Sequence, residues 1–539
     1  MSRVARILAP VALFALLTAV MTWPQVTRLS TDAYEHQDVY FNMWRFAWVA
    51  HALSTSPSHL LDGNIFYPEP RTLTFSDAMP VESTLAAPLL WAGLPQVLVH
   101  NIMLLGGMVL SSAGIFVLAR RLTGSSAAAF TAGIVFGFAP YRFEHYMHME
   151  LQWTVWIPWA FWALHRAFET GERRYGALIG LFVALQFMSS VYYGVFLATL
   201  LAVVGVFLLC GLRRQRLKNG AIALAVGGAL SAALVLPYAL PYATTRSHVG
   251  GRSESQVLMF SAKPSSYTVA TETNYLYGDR AARRGRPERR LFTGVLPLLL
   301  AVTGLLLRRP ANEALAYLVG AAVAFEMSLG LYGYSYAFLY HHVSIFDGLR
   351  APARLGVLVL FFVALLAAYG HAAIAEKLPR AGRQLLAGAI CGLLILEYWV
   401  APLPLVPYPN HAPPLYAWLA QQPRGVVAEF PMPLPDSLPG DDPRYAFLST
   451  FDWMPSINGY SGYYPPSYLE RLVGLRHFPS VRATAVLKRS GVEYVIVHLS
   501  SYTPDHAGSI LAALESSLAF IELGRWNDGQ GAAAVFRLR

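Results

Sequence analysis

The sequence predicts a polytopic α-helical membrane protein of about eleven transmembrane helices, closed by a small α/β domain outside the membrane at its C-terminal end. Three observations carry that prediction. The 539 residues are 55% hydrophobic and 13% charged, with a mean hydropathy of +0.42, which is more apolar surface than a soluble fold of this length can bury. The apolar residues fall in runs that approach the length of about 17–25 residues a bilayer crossing requires. The basic residues sit in short clusters at alternate ends of those runs.

The runs lie near residues 7–23, 101–119, 126–140, 151–165, 175–190, 194–212, 220–238, 291–307, 313–331, 354–374 and 383–402. Arg3 and Arg6 precede the first, no small-residue cleavage site follows it, and Trp23-Pro24 reads as an interfacial stop, so it is an anchor and not a removed signal. Counting the runs alternately puts Arg3/Arg6, Arg120/Arg121, Arg166/Arg173/Arg174, Arg213/Arg214/Arg216/Lys218, Arg308/Arg309 and Lys377/Arg380/Arg383 on one side, the cytoplasm. The apolar stretch 84–99 competes as a further span, but counting it would reverse that agreement. It is read as a Pro-broken re-entrant or interfacial segment lying against the bundle. The protein is therefore expected in the cell (inner) membrane with its N-terminus inside, and segments 24–100, 239–290, 332–353 and 404–539 outside.

After Pro402–Pro414 the pattern changes to short strands and helices, among them Gly425–Phe430 and Glu493–His498, so the domains are set at 1–403 and 404–539. No repeat or low-complexity tract is present. Cys210 and Cys391 both fall inside apolar runs and read as small core residues rather than a disulfide or metal pair. The formal charge of +10 forms no continuous basic face, which excludes nucleic acid as a partner.

The candidate chemistry is on the outer side. Segment 24–100 opens with Asp32, Glu35, His36 and Asp38, followed by a helix whose Tyr40, Trp44 and Trp48 recur at helical spacing, as in a helix lying along the membrane surface. A carboxylate there can take a proton from a hydroxyl. Asp38 is the leading base, with Asp32 and Glu35 as alternatives; Asp38 equally suits capping of the helix. Farther along, Arg142, His145 and His148 are spaced by three and would share one face of a helical end. Arg grips phosphate in two bonds, and two histidines donate to it or, with Asp38, hold a divalent metal ion; the same residues also suit an interfacial girdle avoiding lipid. A bare His-x-x-His is a weak metal signal.

Six arginines, Arg280, Arg283, Arg284, Arg286, Arg289 and Arg290, break the positive-inside pattern. Anionic headgroups or a pyrophosphate would account for them, as would a solvated loop. Glu288 sits inside the run, placed to pair within it or to join the substrate site. Arg350 and Arg354 bracket Pro352 at the entrance to a span, as phosphate ligands or snorkelling anchors.

These residues bring a family into view. Asp38, Asn64–Pro68, Ser76-Asp77, Pro140–His145, Leu276–Gly278, Leu349–Arg354 and Gly491–His498 occur in an order that resembles the C-type membrane glycosyltransferases, the GT-C superfamily that includes protein O-mannosyltransferases and lipid A aminoarabinose transferases. More closely they resemble a bacterial branch with YfhO-like membrane proteins. The resemblance implies a GT-C-like fold and inverting transfer of a sugar from a polyprenyl-phosphate donor to a lipid, glycan or protein acceptor. It implies a first-loop Asp as base and Arg and His groups on the phosphate, with Asp77, Arg142, His145, His148, Glu288, Arg350 and Arg354 as the candidates. The tight Asp-Glu pair of the O-mannosyltransferases is absent; Asp32 and Glu35 approximate it. A transporter or flippase of a lipid-linked saccharide would use the same phosphate ligands without a base, but no inverted hydropathy repeat is seen. A non-catalytic scaffold would leave the ionisable residues of four outer turns without a ligand.

Overall fold

The computed structural model describes residues 3–212, 214–279, 281, 286–307 and 312–539, with the side chains of residues 3–7, 214 and 215 outside that description. Arg3, Arg6, Arg213, Arg214, Arg280, Arg283, Arg284, Arg308 and Arg309 of the predicted clusters lie outside the described residues or side chains.

In chain order the first helices are α1 (Arg3–Met21), α2 (Gln37–Thr55), α3 (Pro80–Trp91), α4 (Gln96–Thr123), α5 (Ser126–Phe138), α6 (Pro140–Glu144), α7 (Met149–Gln152), α8 (Trp156–Thr170), α9 (Arg173–Ser189), α10 (Val191–Cys210) and α11 (Arg214–Val249). Long helices then cover Val295–Leu307, Asn312–Ser328, Gly356–Glu376 and Arg380–Tyr398. Every predicted apolar run overlaps a helix, although 151–165 crosses the break between α7 and α8 and 291–307 becomes helical only from Val295. Five described helical stretches, Gln96–Thr123, Val191–Cys210, Arg216–Val249, Pro352–Glu376 and Arg380–Tyr398, are long and apolar enough to cross a membrane, and Leu8–Met21 and Val295–Leu307 are shorter apolar helices. The protein is thus an integral membrane protein by the length and composition of these helices. Two boundaries differ from expectation. The stretch 84–99 is split between α3, with Pro88 inside it, and the start of α4, and the predicted loop from residue 239 begins as helix that runs to Val249.

The chain divides into two compact units, Met1–Thr27 with Ile102–Leu240 and Gly251–Pro404, and Arg28–Asn101 with Pro241–Gly250 and Leu405–Arg539. The division after Pro404 lies within one residue of the predicted boundary at 403; what differs from expectation is that residues 28–101 and 241–250 join the C-terminal unit. The segment after α1 folds with the C-terminal segment because their backbones pair: Phe66 N–H donates to the Asn458 carbonyl (2.8 Å), Tyr67 N–H to that of Ser456 (2.9 Å), and Ser456 N–H to that of Asn64 (2.8 Å). Strand β1 (Asp32–Tyr34) likewise pairs antiparallel with β2 (Leu405–Pro407).

In the first unit, Gly356–Glu376 is apolar all round and almost wholly buried, the pattern of a central helix. It packs on α5, Val295–Leu307 and Asn312–Ser328. Gly370 is required there, since a Cβ would lie 1.8 Å from the Leu300 carbonyl oxygen.

In the second unit, β3 (Val426–Phe430), β4 (Val492–His498), β5 (Phe520–Asn527) and β6 (Ala532–Leu538) form a sheet ordered β3-β4-β6-β5, parallel only between β3 and β4. Strand β4 reads as a near-continuous apolar run because helices and loops cover both of its faces. Helix α2 packs on Asp442–Leu448. Its aromatic residues face protein instead of a membrane surface: Trp44 is fully buried, donates to Asn64 Oδ1 (3.0 Å) and stacks on Phe41. The surface-helix reading of α2 is corrected accordingly.

Candidate active site

Helix α5 ends at Ala139, whose extended ψ and the following Pro140 stop one helix and start the next. The new helix α6 lasts one turn. His145 closes it with non-helical backbone, and His148 precedes α7 in an extended conformation. Arg142, His145 and His148 therefore do not share a helix face as the spacing predicted. Arg142 is fully buried, its guanidinium donating to the Leu151 (3.0 Å) and Gln152 (2.7 Å) carbonyls, while Gln152 Nε2 donates back to the Arg142 and His145 carbonyls (both 2.8 Å). This reciprocal clamp closes the loop 142–152. It corrects Arg142 from phosphate ligand to the residue that holds the two histidines in place.

The third member comes from the arginine-rich loop. Glu288 adopts φ 68°, a left-handed backbone conformation that costs a non-glycine residue about 1–3 kcal/mol and concentrates at functional sites. Ligand atoms of His145, His148 and Glu288 all lie within 4.8 Å of one another. Arg354 grips the Glu288 carboxylate in two bonds, Nε at 3.0 Å and Nη2 at 2.5 Å. Burial alone would raise Glu288, but the Arg354 guanidinium and then His145 hold its carboxyl well below the usual range. Burial pushes the His145 imidazole down to about 3. A neutral ring and an ionised carboxylate face each other. Both ring nitrogens of His145 are buried without a hydrogen-bond partner among the described residues.

Orphaned nitrogens cost free energy unless a ligand takes them up. Two imidazoles and a carboxylate are also a donor set that suits a divalent ion such as zinc or manganese. The residues therefore fit a metal, with Glu288 as its third ligand; the expected set had named Asp38 with the two histidines, and Asp38 lies in the other unit. Arg354 is corrected from phosphate ligand to the partner of Glu288. Arg350 is different: half-exposed, with its guanidinium over the Phe260 ring (5.4 Å), it makes no ion pair among the described residues and remains available to an anion.

Beside the cluster, Arg290 turns inward to Glu144 (3.2 Å) and Glu272, and Arg289 donates to the Leu258 carbonyl (2.6 Å). Only Arg286 of the described members of that run is exposed. Burial, partly offset by Arg290, lifts the Glu144 carboxyl to about 7.

The first-loop acids belong to the second unit. His36, not Asp38, caps α2, its Nδ1 accepting from the Asp38 N–H (3.1 Å). Asp38 Oδ1 accepts from Tyr460 Oη at 2.5 Å and its Oδ2 lies 3.5 Å from His36 Nδ1. Asp32 is buried in β1 against Arg28 (3.2 Å), Glu35 is exposed, and Asp77 offers its backbone carbonyl to Arg45 (2.6 Å).

Tyr460 was not among the sequence candidates. Its signal is the segment Asn458-Gly-Tyr-Ser-Gly-Tyr-Tyr-Pro-Pro466, too rich in aromatics for an ordinary loop. Asn458 anchors that segment to β3, accepting from the Glu429 N–H (2.8 Å) and donating to the Glu429 carbonyl (3.0 Å) and to Asp442 Oδ1 (3.0 Å). Beneath it lies a second buried histidine. His498 places Nε2 2.9 Å from Glu429 and Nδ1 2.5 Å from Asp528, which also meets Arg444 (3.4 Å). Burial would lower His498, but its bonds to Asp528 and Glu429 raise it, while burial lifts Asp442 to about 7.

This arrangement of helices and sheet is the fold of the C-type membrane glycosyltransferases. The family model for dolichyl-phosphate-mannose-protein mannosyltransferases matches residues 96–240. The chain is similar to the archaeal oligosaccharyltransferase AglB of Archaeoglobus fulgidus, solved in complex with an inhibitory peptide and a dolichol-phosphate: TM-score 0.57, 13% identity, 98% of this chain and 74% of that one covered. It is also similar to ArnT of Cupriavidus metallidurans bound to undecaprenyl phosphate, with TM-score 0.51, 12% identity and 97% of each chain covered. No curated protein matches by sequence. These matches carry the superfamily level of the sequence resemblance and not its branch.

Proposed function

We propose that this protein transfers a sugar from a polyprenyl-phosphate donor to a hydroxyl of a lipid, glycan or protein acceptor at the outer face of the cell membrane, with inversion. The observation that carries the reading is the His145–His148–Glu288 cluster, preorganised by Arg142 and Arg354, in which both buried ring nitrogens of His145 lack a partner among the described residues. Such a site costs stability in the free protein and has a use only when a ligand completes it. The polyprenyl phosphates bound by the two structural neighbours point to the class of donor.

In the proposed reaction the acceptor oxygen attacks the anomeric carbon, the bond from that carbon to the phosphate oxygen breaks, and polyprenyl phosphate departs with the electron pair. Asp38, oriented by Tyr460, takes the acceptor proton. Arg350 offers the departing phosphate a cation. A divalent ion held by His145, His148 and Glu288 would supply further positive charge to the phosphate. All eleven apolar helices cross the bilayer in this reading, with the N-terminus cytoplasmic and the C-terminal sheet outside.

The test is a transfer assay of the purified protein with a panel of polyprenyl-phosphate sugars, run beside Asp38→Asn. A fall of about 10²–10⁴-fold in rate is expected for the variant. An unchanged rate removes Asp38 as base, and no transfer with any donor favours a transporter.

A further inference from the structure

Helix α5 is a ruler between two places in the first unit. Past its C-terminal end lies the histidine cluster; its N-terminal end, about 20 Å away for 13 residues, borders a different feature. There α1, α4, α5 and Arg380–Tyr398 leave a groove of about 520 Å³. Ala9, Pro10, Phe116, Phe130 and Gly388 line it with apolar surface, and among the described residues Arg120 is the one charged residue in its wall.

Two neighbouring arginines at this end meet different fates. Arg121 pairs with Glu169, which also accepts from Arg166 (3.3 Å). Arg120 is exposed and makes no ion pair among the described residues. A cation without a counter-ion at the rim of an apolar groove complements one kind of molecule, an anion carrying hydrocarbon. Two of the groove walls, α4 and Arg380–Tyr398, are helices long and apolar enough for a bilayer, α1 is a shorter apolar helix, and Leu8 of α1 is exposed for lipid contact. A soluble anion would find no use for those walls, and a zwitterionic lipid would leave Arg120 without net compensation.

We infer that this groove holds one anionic glycerophospholipid, an acyl chain against Phe116 and Phe130 and its phosphate on Arg120. The site stands at the opposite end of α5 from the transfer cluster, so it is a second lipid site and not the donor pocket. Gly388 makes the inference testable, because a Cβ there meets nothing within 4 Å and a larger side chain would grow into the groove without disturbing the helices.

The full-length protein, purified in detergent and stripped of lipid, is offered phosphatidylglycerol, phosphatidylethanolamine or undecaprenyl phosphate at equal concentration, and bound lipid is counted by native mass spectrometry. Phosphatidylglycerol should be retained most, with retention falling about tenfold in Arg120→Gln, the factor that corresponds to the loss of one charge-assisted contact. Gly388→Phe should abolish retention while its thermal midpoint stays at the wild-type value. Equal retention of the three lipids, a preference for undecaprenyl phosphate, or an Arg120→Gln variant that binds like wild type would overturn the inference.

Discussion

Two buried histidines in this protein have opposite chemistry. His498, the last residue of β4, has a carboxylate on each ring nitrogen, and those bonds raise its affinity for a proton against the effect of burial. His145, after α6, has no partner on either nitrogen among the described residues, and burial drives it neutral. Burial is nearly complete for both, at 0% and 1% exposure, so burial does not separate them. What separates them is satisfaction. The first is a structural charge within a closed network; the second keeps one ring N–H and one lone pair for something not supplied by the described residues.

Removing each histidine should sharpen that contrast. His498→Ala leaves Glu429 and Asp528 buried without their shared cation, and breaking a buried pair in this way costs about 3–5 kcal/mol. Denaturant unfolding of the detergent-solubilised protein, followed by the fluorescence of its tryptophans, should show that loss; a cost below about 1 kcal/mol would mean that the network is not closed. Glu288→Gln comes next. It takes the charge from beneath Arg354 and should cost about 2 kcal/mol by the same measurement, the value of hydrogen bonds to a charged group.

A smaller effect is expected from pH. Because His498 binds its proton more tightly folded than unfolded, its contribution is complete below about pH 6.5 and is lost as pH rises through the raised value. Asp442, lifted to about 7, acts in the same direction at lower pH, favouring the folded state most below its ordinary range near about 4. The thermal midpoint should therefore decline from pH 6.5 toward pH 9 by an amount that shrinks in His498→Gln. A midpoint rising over that interval would contradict the assignment of a protonated His498.

The helices were legible in the sequence because lipid imposes long apolar runs, and each predicted run overlaps a helix. His145 and His148 were legible as ionisable residues between two such runs. Their third partner was visible only as an acid inside an arginine-rich loop, because its pairing with Arg354 spans 66 residues and depends on a left-handed backbone at Glu288. Arg142 misled for a related reason. A spacing of three implies a shared face only if the helix continues, and Pro140 allows α6 a single turn before the chain bends and its guanidinium is drawn to the Leu151 and Gln152 carbonyls. Asp38 was legible as the acid heading α2, but its bond to Tyr460, 422 residues away, is a tertiary fact. The assignment of residues 28–101 to the C-terminal unit belongs in the same class, since no composition shift marks the backbone pairing of Phe66 and Tyr67 with residues 456–458.

The central claim is that the cluster around His145, and not the closed network around His498, does the chemistry. Sugar transfer from a polyprenyl-phosphate donor by His145→Ala tests it most directly, with folding monitored in the same sample. The rate should fall by about a hundredfold or more while the unfolding midpoint stays near wild type, since no described hydrogen bond of the His145 ring is lost. A variant that transfers at the wild-type rate, or one that loses activity only because it unfolds, would contradict a functional role for this histidine.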